Sequence, residues 1–137
     1  MAGKREGGLS RQWFRARRQL NAAGDDYDDV EYDPLLQNAF LQITRIGVLD
    51  YDNAPTKIRL YVKGHGYEHW VGEEASPNAD TLYWIEWPTY LVENEQLVAR
   101  FYGATTADKL EMILEGWLYD PPTILTNVVV TVVPDVV

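Results

Sequence analysis

The sequence contains no cysteine, and this absence removes several kinds of chemistry. The fold can use no disulfide, no thiolate-bound metal and no cysteine nucleophile, which suits a reducing compartment. The chain has no apolar run of about 18 residues and no apolar segment near its basic start. It also has no Asn-x-Ser/Thr sequon. We therefore expect neither a membrane span nor a secretory signal.

Recognisable catalytic motifs are also missing. The sequence contains no Gly-x-Ser-x-Gly elbow, no Walker loop and no Gly-x-Gly-x-x-Gly fingerprint. Paired carboxylates have no specificity in a chain with 21 acidic residues. We therefore predict that the protein is not an enzyme and has no catalytic residues and no cofactor. An enzyme built on carboxylates and histidines is the third hypothesis.

Three groups of residues carry potential metal ligands. His65 and His69 lie in a predicted hairpin, where an i, i+4 pair on a strand is separated by about 13 Å, too far for one ion. The acidic run at residues 25–29 lacks the glycine and the bidentate glutamate of an EF-hand loop. Residues 50–53 are interpreted as a turn. The sequence therefore predicts no metal site.

Basic residues are few, and they are concentrated at the start of the chain. Residues 1–20 hold six basic residues and Glu6, a net charge of +5, while the whole chain carries −9 and the other 117 residues therefore carry −14. This asymmetry is typical of an interaction tail on an acidic body. We predict a basic arm and acidic linker over residues 1–36 and a folded domain over residues 37–137. The arm is predicted to be extended or to form a short helix after Ser10.

From residue 38 onward, apolar and polar residues tend to alternate, which indicates strands with one buried face. Turn signals at residues 52–55, 64–66, 76–78, 93–95 and 120–122 separate them. The predicted strands are 38–49, 57–63, 66–71, 81–87, 97–103, 109–118 and 123–133. The fold class is therefore all-β, an antiparallel β-sandwich of jelly-roll or Greek-key type.

The end of the chain is apolar and rich in valine, with Val128, Val130 and Val132 as its alternating members. Such a run is stable when it is buried on both faces, and it promotes pairing when it is exposed at an edge. Two interpretations stay open: a central strand of this domain's own sheet, or a strand that pairs with another subunit. The second makes these valines the predicted self-association residues.

Aromatic residues are dense for a domain of this size. The set that stands out comprises Trp70, Tyr83, Trp84, Trp87, Tyr90, Tyr102, Trp117 and Tyr119. Such rings either fill the core or form an exposed strip that stacks on sugars or anchors a protein interface.

Several stretches of the body resemble one family. They are Lys57-Ile-Arg-Leu-Tyr-Val-Lys-Gly, Glu68-His-Trp-Val, Leu82-Tyr-Trp and the run from Leu97 to Met112, ending near Gly116. Their order of strands and turns resembles small accessory or decoration-type β-sandwich proteins in the virions of tailed bacteriophages. The resemblance covers about 60 residues of the body and excludes residues 1–36. It carries a pattern of strands and turns, with no catalytic signature.

The resemblance implies a structural protein that decorates or cements a capsid or tail, made in the host cytoplasm and located in the virion. Expected partners are other copies of the chain and a larger virion protein such as the major capsid protein. The predicted arm contacts are Arg11, Trp13, Phe14, Arg15, Arg17, Arg18 and Leu20. Alternatives for the arm are contact with packaged nucleic acid, which we consider the weaker use, and folding back onto its own body. The alternative function is a carbohydrate-binding module.

Overall fold

The computed structural model describes residues 10–35, 39–86 and 88–120. These residues form nine strands and no helix. The strands are β1 (Ser10–Asn21), β2 (Tyr27–Glu31), β3 (Phe40–Asp50), β4 (Lys57–Gly64), β5 (Tyr67–Glu74), β6 (Tyr83–Ile85), β7 (Thr89–Leu91), β8 (Gln96–Tyr102) and β9 (Lys109–Asp120). Within the described ranges, therefore, no helix is present that could cross a membrane.

The strands form two antiparallel sheets. The large sheet has the order β1-β9-β3-β6, with β7 also paired to β3, and the small sheet has the order β2-β8-β4-β5. Among the connections between the longer strands, only the β4–β5 hairpin joins two strands of the same sheet. The others cross from one sheet to the other. This is the strand order of a jelly roll. The prediction of an all-β sandwich of this type is confirmed.

Alternating apolar side chains from both sheets form the core. Along β9, Leu110, Met112 and Leu114 are fully buried, while Glu111 and Glu115 point to the outer surface of the large sheet. This strict period of two confirms the prediction that the segment is a strand rather than a helix. Phe101 on β8 is the largest fully buried side chain and fills the space between the sheets.

One close approach of two backbones requires glycine. A Cβ at Gly116 would lie 2.0 Å from the Gln42 carbonyl oxygen and 2.9 Å from the Ile43 Cα, both backbone atoms that cannot move aside. The contact lies next to a bulge of β3 between Ile43 and Arg45, where the register with β9 shifts. The glycine therefore lets β3 and β9 pair continuously through the irregularity.

Residues 10–35 differ from the predicted arm and linker. Residues 10–21 pair with the whole of β9 as β1, and residues 27–31 pair with β8 as β2, so both belong to the sandwich. Of the two predicted conformations, extended chain or a short helix after Ser10, residues 10–21 adopt the extended one. The acidic residues are held in place because Asp29 pairs with Arg100, at 2.8 Å, and Glu31 with Lys63, at 3.0 Å. These cations lie far away in the sequence.

Candidate binding surfaces

The outer surface of the large sheet carries a patch of aromatic rings at the end where β1 begins and β9 ends. We call this patch the aromatic face. It comprises Trp13, Phe40, Tyr90, Trp117 and Tyr119. Trp13 and Trp117 meet edge to face at 5.2 Å, Phe40 stacks on Tyr90 at 5.4 Å, and Phe40 also contacts Tyr119 at 5.5 Å. Two groups of cross-strand neighbours thus lie on the same surface of four adjacent strands.

The rings of the aromatic face are partly open to solvent. Trp13 is 48% exposed and Tyr90 is 52% exposed, large values for rings that also contact other rings. The Arg11 guanidinium lies 4.2 Å from the Trp117 ring centre and covers one side of it. Tryptophan, tyrosine and arginine in close contact are the composition typical of the centre of a protein interface.

Buried carboxylates anchor the strand β1 beside this face. Glu115 on β9 pairs with Arg15 of β1 at 2.8 Å and with Arg45 of β3 at 2.7 Å. The hydrogen bond from Arg45 lowers the pKa of Glu115, burial opposes this, and the charge of Arg15 lowers it further. Glu111 likewise pairs with Arg17 at 3.2 Å. Two arginines of the predicted arm therefore hold β1 to its own sheet.

The other predicted arm residues divide between the two sides of β1. Phe14 packs against the core and meets Tyr32 edge to face at 5.7 Å. Arg18 covers the same tyrosine at 4.6 Å and pairs with Asp33 at 2.9 Å. Leu20 is 39% exposed. Folding back onto the body, one of the alternatives for the arm, is thus what the structure shows for residues 10–21.

The outer surface of the small sheet carries a second group, the tyrosine–arginine ladder. Its members are Tyr27, Arg59, Tyr61, Trp70, Arg100 and Tyr102. Arg100 lies between the rings of Tyr27, at 4.2 Å, and Tyr61, at 4.7 Å. Arg59 covers Trp70 at 4.1 Å. Trp70 is the most exposed large apolar side chain of the described residues, at 59%.

Polar groups surround this ladder. Arg100 donates to both carboxylate oxygens of Asp29 and also binds Glu68, and these bonds raise its pKa. A groove of about 470 Å³ adjoins the ladder. Its lining residues include Lys63, Tyr67 and Glu68. The sheet surface thus combines an exposed indole with charged donors and acceptors.

The two histidines lie in the β4–β5 hairpin, at whose turn His65 has a positive φ of 51°. His65 approaches the Glu93 carbonyl oxygen at 3.2 Å, and His69 contacts the Tyr67 ring at 4.5 Å. In the described part of the chain, neither histidine belongs to a cluster of three potential metal ligands. The hairpin interpretation is confirmed.

Some predicted residues lie beyond what the structure describes. Val128, Val130 and Val132, the predicted self-association residues, and Trp87 fall outside the described residues. Of the other aromatics of the predicted set, Trp84 is covered by the Arg45 guanidinium at 3.8 Å, and Tyr83 is partly buried against the core. Phe40 and Tyr27 were missed as surface candidates, although the alternation of their strands places them opposite the buried positions.

No protein-family model and no curated protein matches the sequence. Similar solved structures exist. One, from a study describing Bacillus endospore appendages as a family of disulfide-linked pili, has a TM-score of 0.50 and 11% identity, and the match covers 89% of this chain and 98% of that one. Another, from a study of CBM4 structure and function, has a TM-score of 0.34 and 12% identity, covering 77% of this chain and 82% of that one. The first likeness supports the fold alone, and the second is too low to carry an argument.

Proposed function

We propose that this chain is a non-enzymatic structural subunit that joins other copies of itself and a larger partner protein. Following the resemblance of its body, we propose the virion of a tailed bacteriophage as its setting. The observation that carries the assembly role is the aromatic face, whose Trp13 and Tyr90 rings are about half exposed. Exposed apolar patches of this kind mark interaction sites.

The position of the aromatic face supports the same role. Ser10 pairs with Asp120, so β1 begins and β9 ends beside the aromatic face. A partner held there would contact neighbouring strands of the large sheet at once.

The likeness to the appendage structure is compatible with an assembly role, but the bonds between subunits would have to differ. That structure comes from disulfide-linked pili. This chain has no cysteine, so its copies can be joined only by non-covalent contacts or by other covalent chemistry. Aromatic packing and strand pairing are the non-covalent contacts that its described surface offers.

Nucleic acid is disfavoured as the partner of β1. Arg15, Arg17 and Arg18 each pair with a carboxylate of the same chain. Phosphate contacts would have to replace these ion pairs, and the body carries a strong negative charge.

The test compares two tryptophan variants of the full chain. Trp13→Ala removes the most exposed indole of the aromatic face, while Trp70→Ala removes an even more exposed indole from the opposite sheet and serves as the control. We expect the wild-type chain to form a closed oligomer by light scattering on a sizing column. Trp13→Ala should reduce its mass toward the monomer and Trp70→Ala should leave it unchanged. A monomeric wild type would refute self-association through the aromatic face.

Carbohydrate binding is the second candidate, and the tyrosine–arginine ladder is the observation that favours it. An exposed indole with neighbouring tyrosines, carboxylates and guanidinium groups is a surface that stacks on sugar rings and binds their hydroxyls. The expected result is the reverse of the first test: Trp70→Ala abolishes binding on a glycan array, while Trp13→Ala retains it. If the wild-type chain binds no glycan on the array, the carbohydrate-binding proposal is refuted.

A further inference from the structure

Three aspartates converge at the end of the large sheet opposite the aromatic face. Asp50 is the last residue of β3, Asp52 lies in the turn that follows, and Asp108 directly precedes β9. Because β3 and β9 are antiparallel, with Asp50 beside Leu110, the three side chains come together. One carboxylate oxygen from each lies within 4.8 Å of those from the other two.

The hydrogen bonds around this cluster leave one buried oxygen without a partner. Asp50 Oδ1 accepts the backbone N–H groups of Asp52 and Asn53, at 3.0 and 3.2 Å. Asp50 Oδ2 is buried and accepts no hydrogen bond. Asp108 accepts bonds from the Asn53 side chain at 2.7 Å and the Thr105 N–H at 3.1 Å. The sequence-based interpretation of residues 50–53 as a turn is thus confirmed, but it accounts for only part of the Asp50 carboxylate.

The charge of the cluster is also uncompensated. Asp50 and Asp108 are 1% and 2% exposed, and neither forms an ion pair with a lysine or arginine of the described residues. Buried carboxylates are normally paired with a cation or bound to a metal, since an isolated buried charge is costly.

We propose that Asp50, Asp52 and Asp108 form a calcium-binding site. All the candidate ligand atoms are carboxylate oxygens, which calcium prefers and zinc does not. The three candidate oxygens lie within 4.8 Å of one another, close enough for one cation to contact all three. Calcium accepts irregular sets of oxygen ligands, whereas magnesium requires a near-ideal octahedron and keeps most of its waters, so calcium is the ion that we assign. Asp52 is exposed, which leaves a path for the ion and for the waters that complete its coordination.

The bound ion would join several segments at this end of the sandwich. The Asp108 carbonyl accepts the Ala22 N–H at 2.7 Å, and the Asp50 carbonyl accepts the Asp80 N–H at 2.8 Å. The aspartates are therefore attached by their backbones to the segment after β1 and to the loop before β6. Calcium at this point stabilises the ends of several strands at once, and the site is independent of the proposed assembly role.

The experiment uses the full chain, freed of metal with a chelator and then titrated with calcium chloride in a calorimeter. We expect one calcium ion bound per chain and a rise in the unfolding temperature on the order of 5 °C at saturation. Equal concentrations of magnesium should give a much smaller rise. Absence of both binding heat and a thermal shift at millimolar calcium overturns the proposal, and equal effects of the two ions overturn the assignment to calcium.

Two variants place the ion. Asp52→Asn alters the exposed ligand with little risk to folding and should weaken binding at least tenfold. Asp108→Asn should abolish binding, and its unfolding temperature in chelator is measured to confirm that it folds, because an amide can accept only one of the two hydrogen bonds that Asn53 and Thr105 donate to Asp108. Asp25→Asn, an exposed aspartate elsewhere, is the control and should bind as the wild type does. Wild-type affinity in Asp52→Asn and Asp108→Asn would refute the site.

Discussion

Removing residues 1–21 tests whether β1 is part of the folded domain or a free arm. The matched control is a chain that begins at residue 10, which keeps all of β1 and removes only the residues before it. The arm interpretation expects both shortened chains to be equally stable. The structure expects a large difference, because β1 covers the whole length of β9.

The size of the loss can be worked from three contributions. The half-buried Phe14 loses its contact with Tyr32 and the core, which costs about 1 kcal/mol. Glu111 and Glu115 each lose an arginine partner, at about 1 to 3 kcal/mol per buried carboxylate. The ladder of hydrogen bonds to β9 is replaced by water, with a smaller net cost. The total is roughly 3 to 7 kcal/mol before the ladder is counted, a large part of the roughly 5 to 15 kcal/mol by which a typical domain is stable.

Urea unfolding followed by tryptophan fluorescence measures this difference. The midpoint of the chain that begins at residue 22 should fall well below that of the chain that begins at residue 10, or the shorter chain should fail to fold. Both are measured at several protein concentrations, since self-association would add to the apparent stability. Equal midpoints and equal slopes would refute the assignment of β1 to the sandwich.

Three further predictions concern single residues. Gly116→Ala should lower the free energy of unfolding by about 2 kcal/mol or more in urea titrations, because the added Cβ would collide with backbone atoms. Gly72→Ala should cost less, because the Cβ added there would meet only side-chain methyl groups. The pKa of Glu115 is lowered in the folded state. The stability that its charge contributes is therefore present above the ordinary pKa of 4.5 and is lost as the pH falls through the folded-state value. Glu115→Gln should be less stable than the wild type by about 1 kcal/mol at pH 7, and the difference between their unfolding midpoints should shrink in acid. A constant difference would contradict the ion-pair account. Arg100→Lys should cost about 1 to 2 kcal/mol in the same assay, since lysine cannot donate to both oxygens of Asp29.

The middle of the sandwich could be predicted from the sequence because apolar residues recur at every second position of its strands. Residues 57–63 and 109–118 were predicted as strands, and the structure has them at Lys57–Gly64 and Lys109–Asp120. The positions of these strands that face the core are aliphatic, methionine or glycine, so a period of two is visible in the sequence alone. The jelly-roll class followed from the number of such strands and the turns between them.

The first two strands could not be found in this way because polar residues occupy their inner positions. Arg18 faces the same side of β1 as Phe14, and it is tolerated there because it stacks on Tyr32 and pairs with Asp33. Asp28 is buried on β2, where it accepts the Ala23 N–H. These partners are set by the folded chain and have no signature in the local pattern.

The aspartate cluster was hidden for a related reason. Asp50 and Asp52 are visible as a turn, and Asp108 lies in a different turn of the sequence more than fifty residues away. Only the antiparallel pairing of β3 with β9 brings them together. A metal site made from one local turn and one distant residue has no spacing motif that a reader of the sequence could recognise.

The two sides of β1 explain how one segment can be structural and also bind a partner. Phe14 and Arg18 point inward and hold the strand to the domain, whereas Trp13 points outward into the aromatic face. Losing the whole segment would therefore abolish binding for a trivial reason, the loss of the fold. Substituting Trp13 alone removes an exposed ring and leaves the inner contacts in place, so it separates the two roles. A stable Trp13→Ala variant that no longer assembles is the result that would assign the outer side of β1 to the partner.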